Sequence, residues 1–459
     1  MVISEKLLKE LLLPSVREDG CAGMDSPPLG GIDGRPPSRP RRELSRGSVN
    51  HQMISKRDTS PRSSPTGPKD QVGEAAESGG GSGLSEEHLP GYDLRAELES
   101  EAVSTALEED YDTDLELEDM QESYDPTGQS CYKAACQEFG VVPVSYFLRN
   151  MHASELTMMH HGLGPQGTKA LAVPLVTNTS ILKLNLRDNW MEGTGGVAMA
   201  EMLRENCYIT DIDLSENQLG ELGADAVSSA LVENAVLVSL RLSANNIGDG
   251  VARGLAKALA RNQKLQVLDL SFNRFGEAAG ELLGSALGEN TGLRELDLSW
   301  NCIRGKGAIA LAMGVGSNIF VRVLDLSSNG LALDGATALG DALKANNSLE
   351  ELNISNNRIP PEGAIRFSMG LKVNKTIRAL NMSRNPIQTA GCYGVLKAVQ
   401  SNPDSAIESL DFSHISVDQD FEDLYCTVKD MFPVLEVKHG GITGKLKTTK
   451  EKAQENCKD

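Results

Sequence analysis

Residues Leu265–Gly292, LQVLDLSFNRFGEAAGELLGSALGENTG, decide the fold. The stretch opens with LxxLxLxxN and closes with an amphipathic run that stops at Asn290. Its ninth residue recurs with a 28-residue period, as Asn189, Asn217, Asn245, Asn273, Asn301, Asn329, Asn357 and Asn385. A second Asn follows each of these at a constant offset, from Asn206 to Asn402. A degenerate copy with Leu156, Met158, His161 and Asn178 precedes the regular ones. Another, slipped by two, carries Ile407, Leu410 and Phe412. About ten units of fixed period predict an α/β solenoid, with parallel strands on one face and helices on the other.

Each part of the unit has a physical task. Leu265, Leu268 and Leu270 stand at strand spacing with one buried face. The ninth-place Asn enters the following turn, where a buried amide must find partners. A row of stacked asparagines, each bonding loop backbone, meets that demand. Two residues later comes an apolar plug, such as Met191, Ile247, Phe275 or Ile303. Glycine holds the sixth place after the Asn in seven of nine copies, with Val251 and Ala279 the exceptions, and is expected to mark a tight start to the helix. Helical spacing then buries Leu283 with Leu287, Leu255 with Leu259, and Leu339 with Leu343. The second Asn is expected to end the helix in a left-handed conformation.

These residues resemble leucine-rich repeats of the ribonuclease-inhibitor type over about residues 150 to 415. The lead-in YKAACQEFGVVPVSYFLRN and the uniform Asn-type units look most like the leucine-rich repeat-containing protein 74 family. The resemblance implies a horseshoe whose strands line the concave side and whose helices form the convex side.

Outside the repeats the composition changes. Residues 1–130 read as disordered, being rich in Pro, Gly, Ser and charge and poor in aromatics. Within them lie a short amphipathic start (Met1–Leu13), a PxxPxR pattern at Pro37, Pro40 and Arg42, and Ser-Pro pairs at Ser60 and Ser64. Residues 81–127 hold 16 acidic side chains and one Arg, so most of the chain's net charge of −20 lies there. Residues 131–152 are expected to cap the array (153–415) with a helix bearing Phe139, Val142, Tyr146, Phe147 and Leu148. Residues 416–438 are expected to close the other end through Phe421, Leu424, Val428, Met431 and Phe432, and 439–459 to form a disordered tail.

Several chemistries lack their signatures. There is no GxxxxGK[ST] phosphate loop and no G-x-S-x-G elbow. The eight cysteines show no paired spacing, and Cys131 and Cys136 lack zinc partners; free thiols in a reducing compartment are expected. His160 and His161 read as a surface residue and an Asn substitute rather than as metal ligands. Neither a signal peptide nor an apolar run long enough to span a membrane is present. The expectation is a cytoplasmic or nucleocytoplasmic monomer that binds protein, not nucleic acid or membrane, and needs no cofactor or metal.

The remaining information is surface. The second, third, fifth, seventh and eighth places of each strand are expected to face the concavity. Ser fills the seventh almost throughout, whereas the eighth runs Asp188, Glu216, Ala244, Phe272, Trp300, Ser328, Asn356, Arg384. Phe272 and Trp300 are therefore expected as neighbours, as are Arg294 and Arg322 at the second place and Asp269, Asp297 and Asp325 at the fifth. Aromatics and arginines of this kind dominate interface energy; the bland alternative is that Trp300 merely packs on Phe272 and that the flanking serines neutralise the Asp row. Two other functions fit the same repeat type. One is regulation of a small GTPase, as in the activating protein of Ran, whose acidic tail follows its array where this chain's precedes it. The other is inhibition of ribonuclease, whose inhibitor alternates two repeat types and is rich in cysteine.

Overall fold

The alternation in LQVLDL becomes a short strand, and each repeat lays the next strand beside it. The structure is a computed structural model that describes residues 128–443. The acidic segment, the PxxPxR pattern, the Ser-Pro pairs, the amphipathic start and residues 444–459 lie outside the described residues. The first strands are β1 Glu155–Thr157, β2 Lys183–Asn185, β3 Asp211–Asp213, β4 Ser239–Arg241, β5 Val267–Asp269 and β6 Glu295–Asp297. They continue as β7 Val323–Asp325, β8 Glu351–Asn353, β9 Ala379–Asn381, β10 Ser409–Phe412 and β11 Glu436–His439. All eleven join one sheet in sequence order. Every register is parallel, so Leu268 pairs with Leu296 and Leu296 with Leu324.

Leu265, Leu268 and Leu270 are buried, as are their repeat equivalents, and the plugs Met191, Phe275 and Ile303 fill the space behind them. The helices close that core from the other side, Glu277–Glu289 burying Leu283 and Leu287 and Ala252–Arg261 burying Leu255 and Leu259. The sixth-place glycines do a different job from the expected one. Gly335 and Gly363 sit inside helices at ordinary φ, and an added Cβ would press on the plug of the same repeat and on the adjacent helix. Where Ala279 replaces the glycine, Gly280 and Gly284 supply the close approach to helix Gly305–Ser317 instead. Where Val251 replaces it, the first turn is a 3-10 turn, Asp249–Val251, ahead of a shorter helix.

The second asparagines also depart from expectation. Asn206, Asn234, Asn262, Asn290, Asn318 and Asn346 end their helices in extended backbone, with φ of −70 to −80. A carboxamide here bonds in both directions. Asn290 Nδ2 donates to the Leu259 and Asn262 carbonyls of the preceding repeat at 2.6 and 3.2 Å, while its Oδ1 accepts from Gly292 and Leu293 N–H at 3.1 and 2.7 Å. The helix-to-strand turns thus carry their own ladder, which satisfies carbonyls that a helix end leaves open.

The caps are built differently from the sequence expectation. Two helices, Gln129–Glu138 and Ser145–Asn150, cover the first repeat. Tyr132 and Phe147 do the burying, edge to face at 4.7 Å, while Val142 and Tyr146 remain exposed. Tyr132 Oη accepts from Val144 N–H at 3.2 Å. At the other end helix Gln419–Met431 buries Phe421, Leu424 and Val428, with Met431 exposed. An unanticipated strand follows: β11 pairs with β10 and extends past residue 438, where the tail was expected to start. Leu435 is its buried anchor, and without a ladder Asn it carried no repeat signature.

Candidate functional site

The array's chemistry divides at the end of each strand, where one residue turns inward and its predecessor outward. The inward residues are the ninth-place asparagines. Asn273 Nδ2 donates to Leu242, Leu270 and Ser271 carbonyls at 3.0, 3.0 and 3.1 Å, and its Oδ1 accepts from Asn245 and Ile247 N–H. Asn301 repeats this with Leu270, Leu298 and Ser299, accepting from Phe275 N–H at 3.0 Å. Asn189, Asn217, Asn245, Asn329, Asn357 and Asn385 are buried in the same row. At its start the His161 N–H donates to Asn189 Oδ1 at 3.0 Å, so the histidine holds the ladder place with its backbone.

The eighth place turns outward on left-handed backbone throughout: φ is 52° at Asp188, 58° at Glu216, 52° at Phe272, 52° at Trp300 and 54° at Arg384. That conformation lets the N–H reach the next loop, Phe272 donating to Ser299 and Trp300 to Ser327 carbonyl. Left-handed backbone suits Gly or Asn and opposes bulky residues. Two consecutive repeats nevertheless place large aromatic side chains here. Phe272 and Trp300 stack at 5.1 Å between centroids and 11° between planes, each more than half exposed.

The fifth place forms the adjoining row. Asp269 stands in register with Asp297, and Asp297 with Asp325. Each caps the turn that follows: Ser271, Ser299 and Ser327 N–H donate to the carboxylates at 2.9, 2.8 and 2.7 Å, and Ser271 Oγ donates to Asp269 at 2.6 Å. The cap needs an oxygen but no charge. Asn185, Asn353 and Asn381 hold the same place on β2, β8 and β9 and accept from Arg187, Ser355 and Ser383 N–H at 3.0 to 3.1 Å. The negative charge on β5, β6 and β7 is therefore surplus to the turn. Asn353 Nδ2 donates to Asp325 at 2.8 Å. Among the described residues the row's bonds come from backbone, hydroxyl and amide groups, not from Lys or Arg. Burial, with Asp325 and Asp269 on either side, raises the Asp297 carboxyl above its usual range against the lowering bonds from Ser299.

The seventh-place serines are less open than expected, Ser215, Ser271, Ser299 and Ser327 being buried between the cap and the asparagine row. The arginine pair lies elsewhere on the face. Arg294 sits over the Phe320 ring at 5.1 Å, and Arg322 pairs with Glu350; both line a groove of about 310 Å³ with Lys375 and Arg378. This groove is at the start of the strands, whereas the eighth place lies beyond their ends. The fold therefore joins the Asp row to the aromatic pair and leaves the arginines out. The Asp-or-Asn choice at the fifth place, visible in the sequence, was the signal separating cap from charge.

Among the described residues no group of three or more His, Cys, Asp or Glu could hold a metal ion, and no helix is long and apolar enough to cross a membrane. Burial pushes the Cys392 thiol up to about 12 and raises that of Cys136, so neither is primed as a nucleophile.

Comparison with known proteins falls on the same units. The family described as Leucine Rich repeat matches residues 177–200, 205–228, 261–284, 289–312, 317–340, 345–368 and 373–395. Leucine-rich repeat-containing protein 74B of Homo sapiens is 48% identical over 71 residues, 16% of this chain and 18% of that one. Its namesake in Mus musculus is 52% identical over 50 residues, 11% and 13% of the two chains. The chain thus spans less than a fifth of the length of these relatives. An internalin from Listeria monocytogenes is 15% identical with a TM-score of 0.40, over 70% of this chain and 90% of that one. The fold itself rests on the strand order and register above. With seven units matched and eleven parallel strands in sequence order, the array is a leucine-rich repeat solenoid.

Proposed function

We propose that this protein is a non-catalytic scaffold that docks a protein partner on the concave face of its repeats, over β5, β6 and β7. One observation carries the reading: on the same strands, two places hold residues the fold does not ask for. The fifth place needs only an acceptor and holds three carboxylates in register. The eighth place favours Asn or Gly and holds a half-exposed Phe-Trp stack. Departures from local preference with no structural return mark functional surface, and a rigid array lowers the ordering cost of binding. The free thiols Cys136, Cys207, Cys302, Cys392 and Cys426 support a cytoplasmic or nucleocytoplasmic setting.

The test is affinity capture with the full chain, its Trp300→Ala variant and a Trp190→Ala control. Trp190 is comparably exposed but lies off the Asp row. A partner retained by the parent and the control but lost from Trp300→Ala supports the site. A partner retained equally by all three places the contact elsewhere.

A further inference from the structure

We infer that the occupant of this face is a basic amphipathic α-helix lying across the strands, and the inference rests on the docking reading above. The first argument is spacing. Asp269, Asp297 and Asp325 stand on adjacent strands in register, so the row repeats about every 4.8 Å and spans about 9.6 Å. On a helix, cations at i, i+4 and i+7 share one stripe and span about 10.5 Å. On an extended chain, cations on one side recur every second residue, and three of them span about 13 Å. The helical spacing follows the carboxylates, whereas the extended one runs out of register by most of a strand.

The second argument is breadth. Phe272 and Trp300 lie three residues beyond Asp269 and Asp297, past the ends of β5 and β6, so the turn between them keeps the two rows within about 10 Å. A helix with its side chains is wide enough to cover both. A helix seated there would set its cationic stripe on the fifth place and its apolar edge against the exposed stack.

Charge is the third argument. Asp211, Asp213, Glu295 and Glu351 share the face with the row, and Arg241 is the cation among the strand residues from β3 to β8 on that face. Over this row an anionic partner meets repulsion, and a cationic one offsets the like charge that adds to burial in raising the Asp297 carboxyl. Because Asn serves the turn at this place on β8 and β9, Asp297→Asn removes charge while keeping the cap.

The experiment titrates the full chain with two synthetic Ala-based peptides of identical composition. One places Lys at i, i+4 and i+7 with Leu along one edge of the stripe; the other is permuted to put Lys at i, i+2 and i+4. The helical peptide is expected to bind about tenfold more tightly. Asp297→Asn should weaken it by a similar factor and flatten its salt dependence, and Trp300→Ala should weaken it without changing that dependence. Equal binding of both peptides, with both sensitive to Asp297→Asn, overturns the helix while leaving the docking surface intact. Binding indifferent to Asp297→Asn and to Trp300→Ala overturns both readings. Absence of saturable binding by the helical peptide overturns the helix. Tighter binding after Lys445→Glu with Lys447→Glu would make the chain's own lysine-bearing tail the occupant and overturn the choice of an outside partner.

Discussion

Asn301 and Trp300 are chain neighbours, yet they belong to regions with opposite rules. The asparagine spine is buried, recurs at the 28-residue period from Asn189 to Asn385, and bonds the backbone of its own and the preceding repeat. The rim beside it is exposed, varies from Asp188 to Arg384, and joins the ladder through its backbone N–H, while its side chains bond other exposed groups, as Asp188 does His160 and Asn356 does Ser328. The difference shows how a solenoid divides its labour between adjacent positions. A residue whose side chain ties its own repeat to the preceding one cannot vary without loosening both. One that keeps its φ and offers only its N–H to the ladder is free to carry binding chemistry.

The comparison breaks first if the spine is not what holds the repeats. Asn290→Ala is expected to cost the most, about 3 kcal/mol in chemical denaturation, because it leaves four buried backbone groups unpaired. Asn301→Ala should cost about 2 kcal/mol, its bonds being longer, at 3.0 to 3.1 Å. A midpoint unmoved by either change would refute the assignment of both ladders.

The rim should behave in the opposite way. Trp300→Asn gives up a stacked pair but places a better-suited residue on left-handed backbone, so stability should move by less than about 1 kcal/mol. A loss as large as that of Asn301→Ala would make Trp300 a structural residue and erase the contrast.

The smallest effect concerns charge. Because the Asp297 carboxyl is raised in the folded state, the folded chain holds its proton at pH values where the unfolded chain has released it. Stability contributed through this group therefore increases as pH falls through the raised value, and its cost is fully present at neutral pH. Asp297→Asn should stabilise the protein by about 0.5 kcal/mol at pH 7. The gap from the parent should close once the pH drops below the usual carboxylate range. A gap that persists at low pH would assign the gain to packing rather than to removal of a charge held at a cost by burial and by Asp325 and Asp269.

Much of this was legible before any coordinates. The fixed period, the buried leucines, the plugs and the place of Phe272, Trp300 and the Asp row follow from the chain alone, since register in a repeat array carries each residue onto its counterpart. The misread features share a cause. The sixth-place glycines read as turn formers because glycine serves both turns and close packing; only the adjacent helix, seen at Gly335 and Gly363, tells them apart. The second asparagines read as left-handed caps because local geometry was the only geometry available, whereas their partners lie in the preceding repeat. Strand β11 escaped because its support is β10 rather than any motif of its own.

The sequence by itself determined the repeat, its strand-and-helix content and which residue types occupy each place, because hydrophobic spacing and a fixed period are properties of one chain read along its length. Only the tertiary structure decided which polar residues are spent on the fold. Asn353 and Asp297 occupy the same place and cap the same turn, so the charge on Asp297 stands out as unneeded only when the two turns are seen to be alike. The tertiary structure likewise engaged Arg322 with Glu350, a partner one repeat away, and set Arg294 over the Phe320 ring. Hydrogen bonds and ion pairs between repeats depend on side-chain direction and on distance across a whole repeat, and those are settled only when the strands are laid side by side.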